Sequence, residues 1–138
     1  MEAYATLRFA GDKLEPREIS DVLGVVPTRA YRKGERYFAG PRTGGLTGRT
    51  GIWLLSTDNV VTGCDLDRHL AYLVKLIFES EPGRAAALRR LIAGRDLKAQ
   101  VSCFWHGRAG AQAPTIPAPV VDAFKQLPAE IETDFDTD

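Results

Sequence analysis

Four segments of the chain carry the hydrophobic pattern of β-strands. Apolar positions alternate with polar or small ones over residues 3–9 and 97–105, which is the two-residue period of an extended chain with one buried face. Residues 51–56 form a continuous apolar run that is short enough for a buried strand. In the last segment, 130–138, every second residue is acidic, so the pattern predicts a strand whose outer face carries Glu130, Glu132, Asp134, Asp136 and Asp138.

Apolar residues at helical spacing predict helices between these strands. The clearest covers 66–79, where Asp65 is placed to cap the first turn and the buried stripe consists of Leu66, Leu70, Leu73, Val74 and Ile77. A short helix over 16–23 begins at a proline and ends before a glycine, as helices often do. Two further helices are predicted over 82–94 and 118–127.

The order of these elements indicates one α+β domain that spans residues 1–138. Residues 3–23 and 97–127 each contain a strand followed by a helix, and two such halves can form one sheet that is covered by helices on one face. The sequence therefore predicts a ferredoxin-like two-layer sandwich, with a mainly antiparallel sheet of about four strands and the helices on one face.

Composition narrows the class of protein. The chain is 44% apolar and 26% charged, which is typical of a globular domain, and its 18 basic residues balance 18 acidic ones. Zero net charge argues against nucleic-acid binding, which needs a basic surface. Without an apolar run of about 18 residues or a signal-peptide pattern at the start, we expect a cytoplasmic protein that makes no membrane contact. Cys64 and Cys103 are expected to be reduced thiols.

Residues 28–50 are predicted to form a basic, glycine-rich loop. Glu35 is the only acidic residue in this stretch, against six basic ones. The glycine spacing does not match a phosphate-binding loop, because Arg stands where that motif has Lys and a strand follows. Two interpretations stay open: a solvated loop, or a surface that recognises an acidic partner. In the second case the partner-binding residues are Arg29, Arg32, Lys33, Arg36, Arg42 and Arg49.

Soft metal ligands occur in the chain, but their pattern does not favour a metal site. Cys103 and His106 are three positions apart on a predicted strand, so their side chains point to opposite faces unless the chain bends. His69 is expected to lie exposed beside the apolar stripe of its helix. We therefore predict no metal, no cofactor and no catalytic residue.

The two tryptophans have two interpretations. Trp53 and Trp105 each fall in an apolar strand, and in a small domain such residues usually anchor the core. Because His106 follows at the end of a strand, where binding groups gather, the three residues could instead line a pocket.

Several short motifs together resemble one bacterial family. The chain resembles the family catalogued as domain of unknown function 4279. The motifs that carry this resemblance are the run from Ile19 to Thr28 (ISDVLGVVPT), Lys33-Gly-Glu35, Trp53 and the run from Asp65 to Leu70 (DLDRHL). The resemblance implies a small bacterial domain with no established activity, and it supplies no catalytic residues. The glycine-rich stretch 40–48 has no counterpart in the family pattern.

The sequence thus favours a non-enzymatic bacterial binding module that recognises a protein partner, with an immunity-like or regulatory role. The contact surface would be the 28–50 loop together with nearby Trp105 and His106. The alternative is a small-molecule-binding domain or a weak enzyme with a pocket near Trp105 and His106. A homodimer that pairs the acidic strand with the basic loop stays open.

Overall fold

A computed structural model describes residues 1–38 and 45–138, and within them a mixed α+β architecture. The elements follow the chain as β1 (Glu2–Gly11), α1 (Pro16–Leu23), β2 (Arg29–Tyr31), β3 (Arg36–Phe38), β4 (Gly45–Thr47), β5 (Gly51–Ser56), a 3-10 turn (Thr57–Asn59), α2 (Leu66–Val74), a π-helical turn (Lys75–Glu79), α3 (Arg84–Gly94), β6 (Lys98–Gly107), α4 (Ala118–Gln126) and β7 (Ala129–Thr137). No helix in the described ranges is long and apolar enough to cross a membrane.

Five strands form the main sheet, in the order β2-β5-β1-β6-β7. Every neighbouring pair is antiparallel except β6 and β7, which are parallel and joined by α4. β3 and β4 form a separate antiparallel hairpin. The prediction of an α+β fold with a mainly antiparallel sheet is therefore confirmed.

Two details of the prediction need correction. The sheet has five strands rather than four, because residues 29–31 of the predicted loop pair with β5 as an edge strand, while the β3–β4 hairpin occupies more of that loop. The ferredoxin-like arrangement is not confirmed. In that arrangement another strand separates the two that a helix joins, whereas β6 and β7 are direct neighbours.

The core lies between one face of the sheet and the helices. On β1 the alternation predicted from the sequence is confirmed, since Ala3, Ala5, Leu7 and Phe9 are buried and the residues between them are not. Of the predicted apolar stripe, Leu66, Leu70 and Leu73 are buried on α2, Ile77 is buried in the turn after it, and Val74 is partly buried. Asp65 caps the helix by accepting a hydrogen bond of 3.0 Å from the backbone N–H of Asp67.

The helix predicted over 66–79 changes form at its end. The α-helix stops at Val74 and continues as a π-helical turn. Arg84 lies against this turn and donates hydrogen bonds to the Leu76 carbonyl (3.0 Å), the Ser80 hydroxyl (2.7 Å) and the Glu81 carboxylate (2.7 Å). One guanidinium group therefore fixes the junction between α2 and α3.

His69 is buried, contrary to the expected exposure, with 1% of its surface accessible. Its Nδ1 lies 2.7 Å from the Thr57 hydroxyl and its Nε2 lies 2.9 Å from the Gly63 carbonyl. The Thr57 oxygen also accepts a 2.9 Å hydrogen bond from the Ala5 N–H. With a neutral imidazole that carries its hydrogen on Nε2, each donor and acceptor in these three hydrogen bonds has a partner. This explains why a polar ring can be buried here.

Candidate binding surface

One face of the main sheet is covered by the helices, and the other, here called the open face, has no helix against it in the part of the chain that the structure describes. The register places Arg29, Leu54, Arg8, Gln100 and Glu130 side by side across this face, from β2 to β7. Arg29 and Arg8 lie on the β2 side of this row, and Glu130 lies at its β7 end. At about 4.8 Å per strand, Arg29 and Glu130 are about 19 Å apart. The open face therefore carries segregated charge.

A stacked aromatic pair lies in the middle of the open face. Tyr4 and Phe104 are directly opposite each other on β1 and β6, with ring centroids 4.9 Å apart and an angle of 20° between their planes. A groove of about 340 Å³ runs beside the rings, and Ser102, Glu132 and Asp134 are among the residues that line it. Half-exposed aromatic rings with polar groups beside them are typical of contact surfaces.

At the β2 edge, a second aromatic pair lies next to arginines. The rings of Tyr31 and Tyr37 stack with centroids 4.1 Å apart, which joins the β3–β4 hairpin to the sheet. Burial and the neighbouring Tyr37 phenol raise the pKa of Tyr31, while the guanidinium groups of Arg29 and Arg8 act in the opposite direction. The phenol thus stays neutral, and both Arg8 and Arg29 lie near it.

The predicted partner-binding residues divide into two groups. Arg29 and Arg36 are exposed on β2 and β3, and Arg49 is exposed next to β5. No carboxylate lies within ion-pair distance of these three in the described residues. Arg42 lies outside the described residues.

Arg32 and Lys33 have acidic neighbours instead. Arg32 pairs with Glu15 at 3.0 Å and Lys33 with Asp12 at 3.1 Å, next to the start of α1. Hydrogen bonds from Lys33 and Thr50 lower the pKa of Asp12. Both pairs are exposed to solvent, so they hold the chain after β2 near α1 without adding much stability.

The structure does not bring Trp53, Trp105 and His106 together in one pocket. Trp53 is fully buried in the core and its indole N–H donates a 3.0 Å hydrogen bond to the Ser20 hydroxyl. Trp105 is buried on the same face of the sheet. His106 points to the open face, where its Nε2 lies 2.6 Å from the Asp138 carboxylate.

The two cysteines have different surroundings. Cys64 is exposed, whereas burial raises the pKa of the Cys103 thiol to about 11, so that thiol stays protonated and unreactive at neutral pH. Within the described ranges, no three His, Cys, Asp or Glu side chains are placed to share a metal ion.

Comparison with known families decides the relationship that the motifs suggested. The family model described as "Domain of unknown function (DUF4279)" matches residues 1–138, the whole chain. The chain belongs to this family. Comparisons with the curated proteins and with the solved structures find no match.

In this DUF4279 domain, sequence reasoning missed the centre of the open face. Tyr4, Arg8 and Phe104 are not among the candidate site residues that the sequence predicts. The alternation does predict that they share the outer face of a sheet. Their contact follows only from the pairing of β1 with β6, which joins residues about a hundred positions apart.

Proposed function

We propose that this DUF4279 domain is a non-enzymatic binding module that recognises an acidic surface of a protein partner. The observation that carries the proposal is the β2 side of the open face, where the stacked rings of Tyr31 and Tyr37 lie near Arg29 and Arg8 and no helix of the described residues covers the sheet. A bacterial origin and a cytoplasmic location belong to the same proposal, the first supported by the family resemblance and the second by two free cysteines, while a regulatory or immunity-like role follows only from the proposed binding.

The cations supply the charge selectivity. Arg8, Arg29 and Arg36 have no ion-pair partner in the described residues, so their guanidinium groups are available to carboxylates of another molecule. Arginine binds carboxylates through paired hydrogen bonds, and the attraction also speeds the encounter of two proteins. Leu54, between Arg29 and Arg8, and the Tyr31–Tyr37 pair supply the apolar contact beside these cations.

The residues with catalytic chemistry are engaged in other contacts. Both ring nitrogens of His69 are hydrogen-bonded inside the protein, and the Cys103 thiol is buried. His106 lies against Asp138 at an end of the sheet. A binding role therefore fits the arrangement better than nucleophilic or acid–base catalysis does.

The test captures partners from the native host and compares two matched variants. The double variant Arg8→Ser and Arg29→Ser removes two charges from the open face, while Arg89→Ser and Arg90→Ser removes two exposed charges from α3. We expect the α3 variant to retain a captured partner that the open-face variant loses, and we expect added salt to weaken the complex. The same captured proteins with both variants would contradict the proposal.

A second candidate function is the binding of a small molecule. The groove of about 340 Å³ beside Tyr4 and Phe104 favours it, since aromatic walls with a few polar groups are typical of ligand sites. A thermal-shift screen tests this candidate, because a ligand at 100 times its dissociation constant adds about 2.7 kcal/mol to the free energy of unfolding. Unchanged melting temperatures across the screen would count against it.

A further inference from the structure

Among the described residues, the strand β7 (Ala129–Thr137) is paired along one edge only. All nine of its residues, Ala129–Thr137, pair in continuous register with β6 and show no bulge. On its other side no strand pairs with β7 within residues 1–38 and 45–138. Edge strands that are long and regular offer a template on which another extended chain can form hydrogen bonds.

The register shows which backbone groups are free. The Asp138 N–H donates to the Gly107 carbonyl on β6. The backbone N–H and C=O groups of every second residue before Asp138 therefore also point towards β6, and those of the residues between them point to the free edge. The N–H of Thr137 agrees with this, because it bonds to the Asp136 carboxylate and not to β6. The outward groups are therefore those of Ile131, Thr133 and Phe135.

The two faces of β7 differ in chemistry. Glu130, Glu132, Asp134 and Asp136 pair in register with residues of β6 that belong to the open face, so their side chains lie on that face. Ile131 is half-buried on the helix side. A groove of about 920 Å³ runs along the first half of β7, and its walls include Ile92, Leu97 and Val121 on that side and Lys98, Glu130 and Glu132 at the edge of the sheet.

The carboxylates select the kind of strand that can pair here. If β7 of a second copy paired antiparallel, carboxylates would lie opposite carboxylates, and like charges directly across a strand pair are destabilising. Basic residues in the same positions would be attracted. Of the four carboxylates, only Glu130 has an ion-pair partner in the described part of the chain, Lys98 at 3.6 Å.

We propose that the free edge of β7 binds an extended segment of another protein in which Lys or Arg alternates with apolar residues. The segment adds to the sheet as a sixth strand, antiparallel to β7. Its basic side chains lie opposite the carboxylates on the open face, and its apolar side chains enter the groove on the helix side. This site is separate from the arginines proposed above to contact an acidic partner.

The experiment uses a soluble model peptide, acetyl-Lys-Val-Lys-Val-Lys-Val-Lys-amide, titrated into the ¹⁵N-labelled full chain. We expect binding with a dissociation constant below about 1 mM. The largest amide shifts should fall on Ile131, Thr133 and Phe135. A peptide with Glu in place of Lys should not bind, and added salt should weaken the Lys peptide.

Backbone methylation separates strand addition from simple charge attraction. If the peptide pairs antiparallel to β7, its valines lie opposite Ile131 and Thr133, and the valine N–H groups bond to β7. N-methylvaline should therefore abolish binding, and N-methyllysine should not. The reverse result would support the same edge with a parallel strand. Equal binding of both methylated peptides would overturn the proposal, as would shifts centred on another surface.

A protein variant supplies the matching control. Glu132→Gln with Asp134→Asn should weaken the peptide about fivefold, whereas Asp21→Asn with Glu79→Gln, two exposed carboxylates elsewhere, should change it little. Equal weakening by both variants would contradict the assignment. Peptide binding is independent of the Arg8 and Arg29 variant, so failure here and failure of the proposed function are distinguishable.

Discussion

Among single residues, the buried histidine depends most on its neighbours. The Thr57 hydroxyl stands between the Ala5 N–H and His69 Nδ1, and it serves both. Removing this one hydroxyl leaves the Ala5 N–H and His69 Nδ1 buried without hydrogen-bond partners. An unpaired buried polar group lowers the free energy of unfolding by more than its hydrogen bond contributed. The 3-10 turn that carries Thr57 is thereby tied to both β1 and α2.

We therefore expect Thr57→Val to lower the free energy of unfolding by about 2 kcal/mol, although valine has nearly the same shape as threonine. Thr133→Val, at an exposed position of β7, is the matched control and should change stability by less than about 0.5 kcal/mol. Urea denaturation measures both. Similar losses in the two variants would show that the buried hydroxyl has no special role.

The cysteines give a second prediction for single residues. Burial raises the pKa of Cys103 from 9.0 to about 11, so between these values the unfolded chain releases a proton that the folded chain keeps. This contribution to stability is complete below pH 9 and is lost as the pH rises towards 11. In a Cys64→Ser variant, a thiol reagent at pH 8 should label Cys103 only as fast as the protein unfolds. Rapid labelling of the native protein would contradict this.

Among the elements, the junction of α2 and α3 is held by a side chain as well as by the backbone. The backbone hydrogen-bonding pattern shifts in the π-helical turn after Val74. Arg84 donates a hydrogen bond to the Leu76 carbonyl in this turn. Its guanidinium also lies near Gly24, the left-handed residue that ends α1. Three helical segments thus meet at one cation.

Replacing Arg84 with Met keeps most of the apolar stem but removes these hydrogen bonds. We expect the free energy of unfolding to fall by about 2 kcal/mol, because hydrogen bonds from a charged group are stronger than neutral ones. Arg89→Met on the exposed side of α3 should be nearly neutral. Hydrogen exchange should also accelerate at residues 75–80 in the first variant. Unchanged exchange there would contradict the role assigned to Arg84.

The elements also show how far the sequence could predict the structure. Alternation in β1 and β6 and the leucine spacing in α2 predict their buried faces, because each pattern is long enough to reveal its period. β2 has three residues and no such period, and it is a strand because β5 pairs with it. Similarly, His69 is buried because Thr57 and Gly63 satisfy its ring, and those contacts depend on the path of the chain between β5 and α2.

In the whole molecule, one face of the sheet packs in the core and the other is the candidate binding surface. The residues of β6 alternate between the two sides: Trp105 faces the core with 5% of its surface exposed, and Phe104 faces outwards against Tyr4. Sequence reasoning placed Trp105 correctly among core candidates, but could not show which outward residues form a surface, since that depends on the order of strands. The candidate site is thus a product of the tertiary pairing.

The two aromatic residues of β6 test this difference between the two faces directly, because they are neighbours on one strand. Trp105→Ala should cost about 4 kcal/mol, the usual loss for a large ring in a core. Phe104→Ala should cost only about 1 to 2 kcal/mol, since it loses a stacking contact and a partly buried surface. Urea denaturation gives both values. Losses of similar size would mean that the open face contributes to the fold as the core does, and a face required for folding is a poor candidate for exchange with a partner.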